Sequence, residues 1–262
     1  MFLRLCFAAP FVAATGLAAA FFGAVAFAAP QSAETQPDNA GKPAVSVDEI
    51  VRNLTERNQE RALALRGFEG TRIYRLHYQG FFGTHDAEMT VGVESTADER
   101  QFTVVSESGS KFIIDHIFKR LLKSETEAAV EQRDRTALTT RNYSFTLSSV
   151  DWSSGSPIYV LNVIPKTEEK YLYRGRIWID GKDFAVVRIE AEPAKNPSMW
   201  IKKTEINHQY EKVADFWLPA ANRTDSLIRF GGHALLSIEY RDYRITEARP
   251  VVSEMSASAS LP

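Results

Sequence analysis

Tyr171 to Glu192, YLYRGRIWIDGKDFAVVRIEAE, constrains the fold more than any other stretch of the chain. Two runs of β-branched and aromatic residues flank Asp180-Gly181-Lys182, the pattern of a β-hairpin. Alternation puts Tyr173, Ile177 and Ile179 on one side of the first strand. It puts Ala185, Val187, Ile189 and Ala191 on one side of the second. Directly paired residues share a face of a sheet. A two-residue loop at Gly181-Lys182 would split that apolar set between both faces. A loop of three or five residues keeps it together, sends Arg174, Arg176, Arg188 and Glu190 to the other face, and puts Gly181 at a positive φ. The hairpin therefore predicts a sheet with one apolar and one charged face.

Charge sorts the function classes. The 262 residues hold 31 Lys and Arg against 33 Asp and Glu. That balance gives no electrostatic case for nucleic acid or for an anionic membrane surface. Met1 to Arg4 carries one positive charge, Leu5 to Ala29 carries none, and Ala26-Phe27-Ala28 is a small-x-small cleavage pattern. Residues 1–28 thus read as a secretory signal peptide. The run is also long enough to span a bilayer as an uncleaved inner-membrane anchor. Either way the positive-inside rule puts the remainder beyond the membrane, which makes it periplasmic. Cys6, the single cysteine, lies in this leader, so the rest of the chain has no disulfide, thiol nucleophile or cysteine-based metal site.

Residues 29–45 form a polar Pro/Gly/Ala linker. Ser46 and Glu49 then make a capping box, and Val47, Ile50, Val51, Leu54, Ala62 and Leu65 recur at helical spacing up to about Gly67. Strands follow at Thr71 to Tyr78, Ala87 to Glu94 and Phe102 to Ser106. A second helix is expected from the N-cap Ser110, with Ile113, Ile114, Ile117, Phe118, Leu121 and Leu122 as its stripe. Lys123 to Arg135 has no apolar stripe and reads as a solvated or mobile extension. From Asn142 onward seven further strands alternate with turns, Gly231-Gly232 marking another hairpin, and 250–262 is a polar tail. The expected fold is α+β and mostly antiparallel: a strongly curved, incomplete barrel of about ten strands with two helices on its concave face.

Catalytic patterns are scarce. Ser108-Gly-Ser-Lys111 matches S-x-x-K without its partner motifs, and reads as a loop leading into the second helix. His77 and His85 flank one turn with Asp86 and Glu88 near by, a metal arrangement in principle and a solvated turn in the plainer reading. Asp180 and Asp183 are turn formers. The adjacent Phe81 and Phe82 sit at a hairpin tip between glycines, where they fold over the sheet, pack on a helix, or touch a ligand or membrane. No cofactor or metal is expected, and the chain reads as a non-enzyme.

An amphipathic helix running into Gly67-Phe68-Glu69-Gly70, the strand Gly175-Arg-Ile-Trp-Ile-Asp180 with Phe184 to Glu190 after it, and Tyr210 to Pro219 ending in Trp-Leu-Pro resemble the outer-membrane lipoprotein-sorting proteins, including RseB-like sensors. The resemblance implies one half-barrel domain over 46–249, with helices as a lid over an apolar cavity for acyl chains. Ile113, Ile117, Leu121, Ile177, Ile179, Val187, Ile189, Phe81 and Phe82 are the expected lining. The expected function is non-catalytic binding or transport of a lipid or of lipoprotein acyl chains, with transient membrane contact. The alternative is an envelope sensor or scaffold with a filled core that binds another protein through the charged face or the segment Lys123 to Arg135.

Overall fold

The structure is a computed structural model that describes residues 45–250, except 82, 98, 128–135, 154, 170, 197, 200 and 230. The expected signal peptide, nearly all of the expected linker and tail, Phe82 and the second half of Lys123 to Arg135 lie outside the described residues.

Helix α1 (Val47–Ala64) starts where its capping signal puts it. Ser46 is extended, and its hydroxyl accepts a hydrogen bond from the Glu49 amide at 3.2 Å. The helix stops at Ala64, before the expected Gly67, because Leu65 turns extended and opens the first strand. Ten strands follow: β1 (Leu65–Gly80), β2 (Gly83–Ser95), β3 (Arg100–Gly109), β4 (Tyr143–Asp151), β5 (Ile158–Pro165), β6 (Tyr173–Asp180), β7 (Ala185–Pro193), β8 (Ile201–Val213), β9 (Phe216–Ile228) and β10 (Gly232–Ala248). They form one antiparallel sheet in the order β3-β2-β1-β10-β9-β8-β7-β6-β5-β4. The sheet is open, with β3 and β4 as its edges. Each edge strand carries a bulge, at Val105 in β3 and at Ser148 in β4. Between the edges the chain crosses over as α2 (Lys111–Ile113), a π-helical turn (Ile114–Phe118) and α3 (Lys119–Glu127). Among the described residues no helix is long and apolar enough to cross a membrane.

Register turns alternation into two continuous faces. One transverse row reads Leu161, Ile177, Ile189, His208, Asn222, Ile238, Tyr74 and Met89 from β5 to β2. The neighbouring row, on the opposite face, reads Asn162, Arg176, Glu190, Asn207, Arg223, Ser237, Arg75 and Glu88. Both helical segments pack on the first face. Ile50, Val51 and Leu54 of α1 cluster with Leu161, Ile177, Ile179 and Ile189. Ile113, Ile114, Phe118, Leu121 and Leu122 cluster with Tyr74, Met89 and Ile238.

The central hairpin keeps the expected faces by a different route. Asp180 pairs with Ala185 across a four-residue turn, and a bulge at Val187 restores the parity that an odd loop would have given. Ile179 therefore faces Val186, while Val187 is displaced from the apolar face and half-buried. Asp180 closes the turn by accepting from the Lys182 and Asp183 amides. The positive φ falls on Phe184, at 45°, and not on Gly181. Gly181 is needed for closeness instead. Its amide donates to the Pro157 carbonyl at 2.7 Å, and a Cβ there would lie 2.6 Å from that oxygen.

Gly175 is tighter still: it holds a φ of +156°, and a Cβ on it would meet the Glu190 carbonyl oxygen at 2.1 Å. We expect Gly175→Ala to lower the unfolding free energy by about 3 kcal/mol, since β6 and β7 must part to admit the methyl. Urea unfolding checks this, with a lower midpoint and an unchanged m value as the expected outcome.

Candidate functional site on the helix-covered face

The expected lining residues do not meet around one space. Ile113 and Leu121 are buried over β1, β2 and β10, with Ile117 half-buried at their margin. Ile177, Ile179 and Ile189 are buried beneath α1. The π-helical turn inserts an extra residue into the second helical segment, which carries Ile117 off the buried line of Ile113, Ile114 and Phe118. Phe81 is 84% exposed at the β1–β2 turn, away from both clusters. Ile50, Leu54, Leu161, Ile177 and Ile179 have no exposed surface at all. They therefore border no void large enough for water, and the face beneath α1 is filled by side chains.

Between the two apolar patches runs a polar strip. Thr204 and His208 of β8 and Asn222, Thr224 and Ser226 of β9 are buried on the same face. Thr204 and Ser226 share a hydroxyl hydrogen bond at 3.1 Å, and Thr224 donates to the Asn222 side chain at 3.3 Å. Burial pushes the His208 imidazole down to about 4, so it stays neutral in the folded protein.

A polar seam holds the second helical segment to the sheet. Glu125 of α3 accepts from Arg72 of β1 through both carboxylate oxygens, at 2.8 and 3.1 Å, and from Arg100 of β3 at 2.6 Å. Arg72 also donates to the Tyr74 hydroxyl at 3.2 Å and lies 5.2 Å from the ring centres of Phe102 and Tyr240. Burial alone would raise the Glu125 carboxyl, but the two guanidiniums outweigh it and hold the group below its ordinary range. Burial pushes the Tyr74 and Tyr240 phenols up. The expected solvated extension at Lys123 is thus corrected in its first turn, where Glu125 is clamped in the interior. The α1 side has its own tie. Arg61 is buried and donates to the Asp183 and Phe184 carbonyls at 2.8 and 3.0 Å, in the β6–β7 turn. The Asp183 carboxylate in turn accepts from Lys212 at 2.5 Å and from the Trp217 indole at 2.9 Å.

The opposite face is charged, as the hairpin predicts. Arg176 bonds Glu190 at 2.9 Å, Arg188 pairs with the same carboxylate, and both guanidiniums lie over the Trp178 ring at 5.2 and 5.0 Å. Beside them Arg174, Arg176, Glu190, Glu205, Asn207 and Arg223 line a groove of about 760 Å³. His77 bonds Asp86 at 2.6 Å and His85 stacks on Tyr78, but among the described residues no three metal-ligating side chains gather.

Sequence reading passed over the seam and the polar strip. The signal was in the strand alternation. Arg72 shares its face with Tyr74 and Leu76, and His208 shares its face with Thr204, so both polar residues stand in inward register.

A family model described as a family of unknown function (DUF5686) matches residues 136–240. No curated protein matches the chain. Its fold is similar to several solved structures at low identity. An outer membrane lipoprotein-sorting protein domain from Vibrio parahaemolyticus is 13% identical, over 75% of this chain and 92% of that one, with a TM-score of 0.37. A DUF1329 family protein from Desulfovibrio piger is 12% identical, over 76% and 93%, with a TM-score of 0.38. A LolA superfamily protein from Nitrosomonas europaea is 10% identical, over 76% and 94%, with a TM-score of 0.31.

The buried neutral His208 has a pH signature. The unfolded chain protonates it below about 6.5 and the folded chain only below about 4, so stability falls as pH drops through that window. The full loss is about 3 kcal/mol, at 1.36 kcal/mol for each pH unit between about 6.5 and about 4. Chemical denaturation between pH 7 and pH 4 should show this slope in the native chain, and a flatter one in His208→Gln.

Proposed function

We propose that the chain is a non-catalytic binding protein of the periplasm that takes a lipid or the acyl chains of a lipoprotein onto its helix-covered face. The observation that carries this reading is the Arg72–Glu125–Arg100 seam. An apolar contact of similar volume would hold a permanent core at least as well, because two charges lose their hydration when buried. The better attested use of a buried ion cluster is to fix one register or to act as a switch between arrangements. Here the cluster joins α3 to β1 and β3, and its release frees the patch formed by Tyr74, Met89, Val91 and Ile238. The filled face is what the sensor or scaffold alternative expects, and a carrier would show it only when unladen, since an empty apolar cavity forfeits its packing contacts. A guest replaces the helix and gains about 0.8 kcal/mol for each CH₂ it buries. Ile113, Ile117 and Leu121 would then face the guest from the helix. Ile177, Ile179 and Ile189 would be reached only where α1 also lifts from the Arg61 tie. Val187, on its bulge, would line the margin.

Two observations favour the second reading, a sensor or scaffold for another envelope protein. The face beneath α1 is filled by side chains, and a charged groove stands open across β6 to β9, which suits a polar segment of a partner rather than a lipid.

Mass spectrometry of organic extracts from protein purified without detergent separates the two. Copurified lipid or acylated peptide supports the carrier, and a clean extract from protein competent to bind an envelope partner overturns it. Glu125→Gln tests the seam itself. It leaves two buried guanidiniums without a charge partner, and we expect a loss of about 3–5 kcal/mol. If the segment is a releasable cover, amide exchange rises first in Lys111–Glu127 and apolar-probe binding increases. If it is a fixed core, exchange rises throughout the sheet together.

A further inference from the structure

The groove across β6 to β9 is lined by charges of both signs, and one of them stands apart from the rest. Glu190, Glu192, Glu205 and Asp225 border it, and each is already engaged. Glu190 accepts from Arg176 at 2.9 Å and pairs with Arg188. Lys203 reaches Glu205 at 2.6 Å and Glu192 at 3.4 Å, and His233 bonds Asp225 at 2.6 Å. Arg174 donates to the Ala194 carbonyl at 3.2 Å and lies 3.8 Å from Glu168. Arg223 is exposed, and among the described residues its guanidinium forms no hydrogen bond or ion pair. The side chain of Asn207, its neighbour across the β8–β9 ladder, forms none either. Strand pairing also changes at this place. β8 follows β9 from Val213 to Ile201, but its register with β7 runs only from Gln209 to Ile206. The groove opens where β7 and β8 part, with Lys203 bridging Glu192 and Glu205 across the fork.

We propose that this groove binds an extended peptide segment of a partner protein, with an aspartate or glutamate of that segment held by Arg223 and Asn207. The proposal deepens the second reading above, in which an envelope protein uses the charged groove, and it rests on that reading. The lining selects the ligand class. Ionised carboxylates only accept hydrogen bonds, so the four acids of the groove call for N–H donors. A polypeptide backbone offers such a donor at every residue but proline. The free guanidinium calls for one anion, and its planar fork beside an amide matches a carboxylate. A nucleic acid or an anionic bilayer would bring rows of phosphates against those same four acids, where like charge repels. A small free anion would meet Arg223 and gain nothing from the acceptors. Length agrees with a peptide. Strands about 4.8 Å apart put β9 about 14 Å from β6, the span of about four extended residues. Part of the wall is set in advance, because Arg176 and Arg188 are fixed between Glu190 and the Trp178 ring. Arg223 is the group left over for a partner.

The test selects phage-displayed random decapeptides on the purified full chain and then measures the best of them as a synthetic peptide with both ends blocked. We expect an Asp or Glu at one recurring position of the selected peptides. Arg223→Ala should weaken the synthetic peptide by about tenfold or more, the loss of a hydrogen-bonded charge partner. Replacing the recurring acid by its amide should cost about as much, and the two changes together little more than either alone. Selection on Arg223→Glu should favour Lys or Arg at that position instead. Amide shifts in NMR spectra should move at 188–192, 203–209 and 221–226, and stay in place in both helical segments. Arg223 is an exposed strand residue, so unchanged melting confirms that its variants fold. The proposal is overturned by peptides without a recurring acid, by peptides that bind Arg223→Ala like the native chain, or by shifts on the helix-covered face. Sodium succinate probes the small-anion case: the same shifts at the same concentration as the peptide would make the occupant a free carboxylate and end the proposal. Failure of the broader reading looks different. An envelope partner that binds native and Arg223→Ala chains equally removes this site and leaves that reading standing, whereas the absence of any envelope partner removes both.

Discussion

Strand parity is the constraint on which everything else in this molecule depends. Across eight strands a single transverse row stays on the covered face and its neighbour stays on the charged face. A slip of one residue in β6 and β7 would bring Arg176 and Glu190 under α1 and expose Ile177 and Ile189. The central hairpin conserves this parity in spite of an even turn. Its four-residue turn is compensated by the bulge at Val187 six residues after its glycine. The strain at Phe184 and the crowding at Gly181 are local consequences of holding that register.

The covered face is not uniform. Two apolar patches beneath the helices are separated by the polar residues of β8 and β9, and a third cluster of Ala64, Leu65, Phe68, Val93, Phe216 and Leu218 lies where α1 runs into β1. Each helical segment is tied down by arginine. Arg61 reaches from α1 to backbone carbonyls of a turn, and Arg72 and Arg100 reach from the sheet to a carboxylate on α3. The second tie involves a charge on both sides, and its geometry is correspondingly complete: three charge-assisted bonds converge on Glu125 and aromatic faces flank Arg72. Guanidinium suits this place because it keeps its charge when buried and lies flat against rings.

Much of this was legible in the amino-acid order. Alternation around Asp180-Gly181 specified both faces of the hairpin, Ser46 and Glu49 marked the start of α1, and Gly231 marked a turn in which it does adopt a positive φ of 87°. Loop length was not legible, because alternation reports parity alone and an even turn with one bulge is equivalent to an odd turn. The placement of Ile117 was hidden by the π-helical turn, which helical periodicity does not encode. The separation of the predicted lining into two patches depended on strand order. Nothing within β6 or within the second helix says that four other strands, β7 to β10, intervene between β6 and β1. Glu125 looked solvated because its own segment is charged, and its burial comes from Arg72 and Arg100, each more than twenty residues earlier.

The bulges at Val105 and Ser148 bear on how copies of this chain coexist. An open sheet ends in two rows of unsatisfied amides and carbonyls, and such rows template further strands. At each edge here the spacing of those groups breaks in mid-strand, so an arriving strand matches only a few residues before falling out of step. Growth by addition of like strands is thereby disfavoured. A sheet that never closes on itself can in this way limit self-pairing at its two free edges, with local geometry taking over part of what closure does in a complete barrel.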